Sequence, residues 1–242
     1  MKNSSLLVFT IDFPYGKGES FLFNEIKILS NKFQMIYIFP MNYSDNQFEY
    51  ELPENVQVVK FNMFQPFNRL KVLFKNSALI SSIYFSELIQ SSSRLKYLRQ
   101  FFQTLNNLTH KISAANNFSI ICKQMKIDNP IAYTYWFNQW TLILSIINAK
   151  YQKINLYTRI HGMDVYEDQH YQKKFFFQFR VFQLKQIKKV FAISSNGKLH
   201  FEGANPVSVN KVVVSRLGTQ DYRLNKIENL SFLRIVSCSS LH

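Results

Sequence analysis

A histidine, a glycine and a carboxylate in one short turn allow proton transfer and close approach of a ligand at the same place. This chain of 242 residues has that combination at His161, Gly162 and Asp164. The segment Arg159-Ile160-His161-Gly162-Met163-Asp164-Val165-Tyr166 lies at the end of Ile154 to Ile160, which reads as a strand. An imidazole in such a turn takes a proton near neutral pH or donates to a developing alkoxide or phosphate oxygen. The same pattern fits a loop histidine bonded to backbone. His110, His170, His200 and His242 have no comparable setting, and no pair of them shows metal-ligand spacing.

A second candidate is Phe13-Pro14-Tyr15-Gly16-Lys17-Gly18-Glu19-Ser20, which leads from a first strand into a helix. Gly16 and Gly18 let backbone amides approach an anion, and a helix start adds its positive dipole end, so the loop reads as a phosphate cradle. It is not a dinucleotide fingerprint, because Phe21 fills the place of the third glycine, and no Gly-Lys-Ser/Thr follows at P-loop spacing. No acidic residue closes the second strand, where Phe39-Pro40-Met41-Asn42 stands, which counts against a nucleotide-dependent oxidoreductase.

Positioning these loops falls to an alternation of strands and helices. Strands are expected at Leu6 to Ile11, Gln34 to Phe39, Val56 to Phe61, Ile131 to Tyr135, Ile154 to Ile160, Lys189 to Ile193 and Lys211 to Val214. Helices are expected at Phe21 to Leu29 with Ser20 as cap, at Gln139 to Ala149, at Tyr171 to Lys185 and at Asn196 to Glu202. The region Phe67 to Lys126 is helical in tendency, broken at Ser91-Ser92-Ser93. Parallel neighbours need crossover helices, so the pattern predicts an α/β fold with a doubly wound parallel sheet and flanking helices, its ligand crevice beyond the carboxyl ends of the strands.

Composition sets further bounds. An apolar share of 47% with 16% aromatic residues supports a large buried core. Cys122 and Cys238 lie far apart without metal-ligand spacing and read as free thiols of a reducing compartment. Met1 to Phe9 begins as a signal peptide would, but Asp12 interrupts the run early, and the segment reads as a strand. Asn129 to Ala149 carries no charge, yet its scattered polar residues and Pro130 fit a buried strand followed by a helix better than a membrane span.

The net charge of +14 is unevenly spread. Between Gln65 and Lys126 stand Arg69, Lys71, Lys75, Arg94, Lys96, Arg99, Lys111, Lys123 and Lys126 against Glu87 alone, and Tyr171 to Lys189 is basic with no acid. Basic residues interleaved with aromatics point first to an anionic membrane surface. A solvated lysine-rich face is the plain alternative, and nucleic acid is disfavoured for want of any accompanying motif.

Six segments together resemble the N-terminal half of the retaining glycosyltransferases of family 4, the GT-B enzymes of bacterial polysaccharide synthesis. They are Phe13-Pro14 with Gly18-Glu19-Ser20-Phe21-Leu22 and Glu25; Tyr133-Thr134-Tyr135-Trp136-Phe137; Arg159 to Tyr166; Val190-Phe191-Ala192-Ile193-Ser194 with Gly197; Lys211 to Ser215 with Leu217-Gly218-Thr219; and Leu233-Arg234-Ile235-Val236-Ser237-Cys238-Ser239. The resemblance implies a Rossmann-like acceptor domain over residues 1–230, with 231–242 the first strand of a nucleotide-sugar-binding domain whose remainder the chain lacks.

By the same resemblance the donor is a nucleotide-diphosphate sugar held mainly by that second domain, and no cofactor or metal is needed. The acceptor is a sugar or lipid-linked saccharide, and the setting is the cytoplasmic face of the plasma membrane, where the protein is peripheral and serves capsule or exopolysaccharide synthesis. Gly16, Lys17, Gly18 and Glu19 would lie by the donor pyrophosphate and transferred sugar. His161 would face the reacting centre, with Gly162 and Asp164 shaping its loop, while Arg159 and Gly218 line the cleft or its hinge. Displacement is expected on the front face, the leaving phosphate helping to deprotonate the acceptor hydroxyl, so that His161 positions or stabilises and is not an obligatory base. An isolated acceptor half is expected to be inactive alone. The rival from another class is a non-enzymatic membrane or nucleic-acid binding module on the same fold.

Overall fold

A computed structural model of the protein describes residues 5–43, 50–63, 65–90, 94–125, 127, 130–151, 154–166 and 179–218. Seven strands form one sheet: β1 (Ser5–Thr10), β2 (Met35–Pro40), β3 (Val56–Val58), β4 (Ile131–Thr134), β5 (Asn155–Ile160), β6 (Lys189–Ala192) and β7 (Val212–Val214), in the order β3-β2-β1-β4-β5-β6-β7. Every pairing is parallel, for example Leu6↔Ile36 and Leu6↔Ile131 on the two sides of β1. The central strands are near-continuous apolar runs because both of their faces are covered. This is the α/β doubly wound, Rossmann-like sheet that the alternating pattern predicts.

Alternate residues of each strand belong to two cores. Leu7, Phe9, Ala132, Leu156 and Val190 face a layer containing α3 (Ser77–Gln90), α5 (Phe101–Gln124), α6 (Gln139–Tyr151), α8 (Arg180–Gln186) and α9 (Ser195–Ala204). Leu6, Val8, Ile36, Ile38 and Tyr133 face α1 (Ser20–Ser30) through Leu22 and Ile26. Phe9, Phe39, Phe118 and Trp140 form an aromatic nucleus with ring centroids 4.9 to 5.8 Å apart on the first side. The strand order reverses between β1 and β4, so the loops after these two strands diverge and leave a crevice between them.

The basic region folds as α2 (Arg69–Lys75), α3, α4 (Arg94–Arg99) and α5. At 24 residues α5 is far longer than the strands it covers. The Lys111 ammonium donates to Gln139 Oε1 at the first turn of α6, which sets residue 111 level with the carboxyl ends of the strands. Residues 101–110 therefore carry α5 about 15 Å beyond that contact, the part of the helix called its overhang below.

Several expected boundaries shift for physical reasons. Helix α1 begins at Ser20, and Ser20 is not its cap; Glu19 precedes it and turns its side chain elsewhere. Of the helix expected over Tyr171 to Lys185, the described part is Arg180–Gln186, preceded by Phe179 in the left-handed region at φ 53°, where a continuous helix is interrupted; residues 171–178 lie outside the described residues. The turn after His161 closes into a short helix, α7 (Gly162–Val165), that sequence periodicity cannot reveal. Of the uncharged stretch Asn129 to Ala149, the described residues form a strand and a helix, and no described helix is long and apolar enough to cross a membrane. The second-domain strand at 231–242 lies outside the described residues.

Candidate functional site

The loop after β1 turns sharply, Tyr15 and Gly16 both donating their amides to the Asp12 carbonyl. Gly16 is required by contact, since a Cβ there would lie 2.9 Å from Asp12 Cβ, whereas Gly18 has open space around it. The amides of Ile11, Asp12 and Phe13 point into the loop as an anion nest would. Their acceptor is the Glu19 carboxylate: Oε2 takes the Phe13 amide at 2.7 Å and the Asp12 amide at 2.9 Å, and Oε1 takes the Ile11 amide at 3.1 Å. Glu19 is only 3% exposed. The cradle expected at Gly16 to Glu19 is thus filled from within the chain, and Lys17 and Gly18 stand exposed on its outer rim.

Trp136, half-buried after β4, joins this nest to the second loop. Its indole N–H donates to Glu19 Oε1 at 2.6 Å, and its ring lies 4.2 Å from the His161 ring, centroid to centroid. His161 is also packed on Tyr135 at 4.8 Å and is bonded through Nε2 to the Tyr135 carbonyl at 3.1 Å. A carbonyl only accepts, so Nε2 carries the proton and the lone pair falls on Nδ1. Burial, helped by the Arg159 charge and opposed by the bond to Tyr135, holds the His161 pKa down at about 4. The imidazole is neutral throughout the physiological range and too weak a base to take a proton there unaided.

Asp164 anchors the turn, its Oδ2 accepting the His161 amide at 3.0 Å. Its Oδ1 lies 4.0 Å from the Arg180 guanidinium, which donates to the Phe137 carbonyl at 2.5 Å and stacks 3.8 Å above the Phe137 ring. Arg180 thereby ties the loops after β4 and β5 together. Gly162 and Met163 are exposed at the lip, and Gly218 is exposed after β7. Nothing lies near enough to Gly18, Gly162 or Gly218 to exclude a side chain, and none of the described glycines has a positive φ.

Arg159 lies on the α1 side of the sheet. It is 4% exposed beneath α1, where it donates to the Tyr133 hydroxyl at 2.7 Å, to Glu25 at 3.0 Å and to the Ser215 carbonyl at 2.8 Å. These bonds knit α1, β4, β5 and the segment after β7 beside a cavity of about 260 Å³ lined by Glu25, Tyr133, Tyr157 and Phe191. The structure therefore brings together Glu19, His161 and Asp164, adds Trp136 and Arg180, and places Arg159 beneath α1 in the wall of that cavity. An aromatic directly after a strand was the available signal for Trp136. Nothing local marks Arg180. Among the described residues no three His, Cys, Asp or Glu side chains converge as a metal site needs.

No protein-family model and no curated protein matches the chain. Among solved structures it is similar to the N-terminal domain of trehalose-6-phosphate phosphatase from Candida albicans, at 12% identity and TM-score 0.41 over 84% of this chain and 42% of that one. It is also similar to OtsA in its apo form, at 10% identity and TM-score 0.47 over 90% of this chain and 50% of that one. A trehalose-6-phosphate synthase studied with bisubstrate glycomimetics matches at 11% identity and TM-score 0.40, over 82% of this chain and 42% of that one. The chain spans half or less of the length of each.

Proposed function

We propose that this chain is the acceptor-side half of a retaining glycosyltransferase that uses a nucleotide-diphosphate sugar in bacterial cell-surface polysaccharide synthesis, the acceptor being a sugar or a lipid-linked saccharide. One observation carries the division of labour. The buried charged groups at the crest, the carboxyl ends of the strands, are engaged internally: the amide nest holds Glu19 and Arg180 is bonded to the Phe137 carbonyl, while Lys17 stands exposed at the rim. What the crest offers is a neutral imidazole beside a half-buried indole. That chemistry suits a neutral polyhydroxyl ligand, stacked on an aromatic face and hydrogen-bonded, better than a diphosphate that needs free cations.

In this reading His161 orients an acceptor hydroxyl, Trp136 supplies the platform, and Gly162 leaves room at the lip. Asp164 holds the turn, and Lys17, Gly18 and Gly218 border the cleft. The six segments that resemble family 4 enzymes support the assignment by their order along the chain.

Trp136 makes a built-in reporter, because the only other tryptophan, Trp140, is fully buried. Short saccharides and soluble lipid-linked saccharide analogues are expected to change Trp136 fluorescence in the wild type and to lose affinity in His161→Ala, while uridine and guanosine diphosphates bind weakly. Tight nucleoside-diphosphate binding, or robust sugar transfer by this chain alone, would overturn the division proposed.

A further inference from the structure

Helix α2 is amphipathic in sequence yet buries none of its residues. Leu70, Leu73 and Phe74 form its apolar stripe at helical spacing, and Phe74 is 80% exposed. Opposite them the overhanging start of α5 carries Phe101, Leu105 and, on its outer side, Phe102, which is 82% exposed. Between α2, α3 and α5 lies an open groove of about 460 Å³, walled almost wholly by carbon and floored by Ile80 and Tyr84. Large apolar side chains left this far in solvent on a single face mark a surface that is covered in use.

The charge around the groove selects the cover. Lys71 and Lys75 flank the apolar stripe of α2 on one side and Arg69 on the other, all three exposed, and Arg99 is exposed just before α5. The one acid of the whole region, Glu87, is buried and turned inward, where its carboxyl accepts the Phe182 amide at 2.9 Å. A face with exposed phenylalanines at its centre, cations at its rim and no exposed acid complements an anionic surface that has an apolar interior.

We propose that the groove formed by α2, α3 and the overhang of α5 is a docking foot for an anionic lipid bilayer, with Phe74 and Phe102 entering the interfacial region and Arg69, Lys71, Lys75 and Arg99 resting on the headgroups. The long stems of the cations lie along the apolar surface while their charges stay in water. The docking proposal rests on this groove and its charged rim alone. It does not depend on the transferase reading, and its test reads membrane binding, not sugar chemistry.

Flotation of the full chain with phosphatidylcholine vesicles, alone or mixed with phosphatidylglycerol, decides the matter. Binding is expected only to the anionic vesicles and to fall steeply as salt shortens the Debye length from about 10 Å to about 3 Å. The paired substitution Lys71→Glu and Lys75→Glu should weaken binding roughly 25-fold or more, at about fivefold for each cation removed. Phe74→Ser with Phe102→Ser should cost about tenfold or more, and circular dichroism should match the wild type because both side chains are already exposed. Equal binding to neutral vesicles would overturn the proposal. So would salt-sensitive binding to RNA without vesicle binding, which would make nucleic acid the partner, or self-association abolished by the phenylalanine pair without vesicle binding, which would make a second copy the occupant.

Discussion

Replacing Glu19 by glutamine tests whether the loop after β1 is organised around an internal anion. The carboxylate accepts the amides of Ile11, Asp12 and Phe13 and the indole N–H of Trp136, all at hydrogen-bonding distance. Glutamine keeps the volume but has one acceptor oxygen. If that oxygen serves Asp12 and Phe13, its amino group faces the Trp136 N–H, donor against donor. One charge-assisted bond is lost, worth about 1.5 to 3 kcal/mol, and a mostly buried indole N–H is left without its acceptor, so the expected loss of stability is about 3 kcal/mol. Glu19→Ala leaves all four donors without their acceptor, and because Ile11 and Asp12 are half-buried some water can enter, which holds the loss to about 4 kcal/mol.

Urea unfolding followed by tryptophan fluorescence measures both losses. A cycle with Trp136→Phe should show a coupling to Glu19 of about 1 to 2 kcal/mol, since the two groups share one short bond. The alanine variant carries a further expectation: acetate or phosphate should refill the nest and restore part of its stability, and should do nothing to the wild type. If Glu19→Gln unfolds like the wild type and the coupling is nil, the carboxylate does not organise the loop and the reasoning about the filled cradle fails.

Two further predictions concern pH. Burial raises Glu87 from 4.5 to about 7, against the opposing influence of its backbone bonds and of Arg180 and Lys185. Within that window the folded protein keeps a proton that the unfolded chain has released, so this group's contribution to stability falls as pH rises, by about 3 kcal/mol at most, and levels off above 7. Stability profiles should show that slope in the wild type relative to Glu87→Gln. His161 acts in the opposite sense. Between about 4 and 6.5 the unfolded chain holds the proton and the folded protein does not, so its contribution grows as pH rises and is lost as pH falls through the window. The His161 imidazole resonances should stay flat through neutrality and move only on approach to about 4. A midpoint near 6.5 would mean that the ring is not buried as the structure has it.

The strands were legible because most are short apolar stretches between turn residues, and helices between nearly all of them pointed to a parallel sheet. The placement of His161 and Asp164 at a strand's carboxyl end followed directly. Other features depend on contacts remote in sequence. Arg159 and Glu25 are separated by 134 positions, and nothing near Arg159 reveals that its guanidinium turns under α1. Glu19 reads as a polar residue before a helix, where a carboxylate ordinarily complements the dipole. Its inward turn becomes visible only when β1 ends with three amides aimed at one point. The break at Phe179 was hidden because its left-handed backbone belongs to a residue type that rarely adopts it.

The filled nest and the neutral histidine bear on each other through Trp136. A phosphate entering the loop after β1 would meet the Glu19 carboxylate, which is already tethered in place by the chain and is displaced only by breaking its bonds to three amides and an indole. Repulsion between two anions adds to that cost. The same carboxylate fixes the indole, and the indole packs on the His161 ring, whose burial keeps it uncharged. An internal anion therefore does two things at once: it occupies the three amides that an incoming phosphate would use, and it stiffens an aromatic wall beside a neutral hydrogen-bonding group. In the proposed reading, positive charge for a donor diphosphate comes from outside the nest, and the neutral imidazole beside the indole meets uncharged hydroxyls.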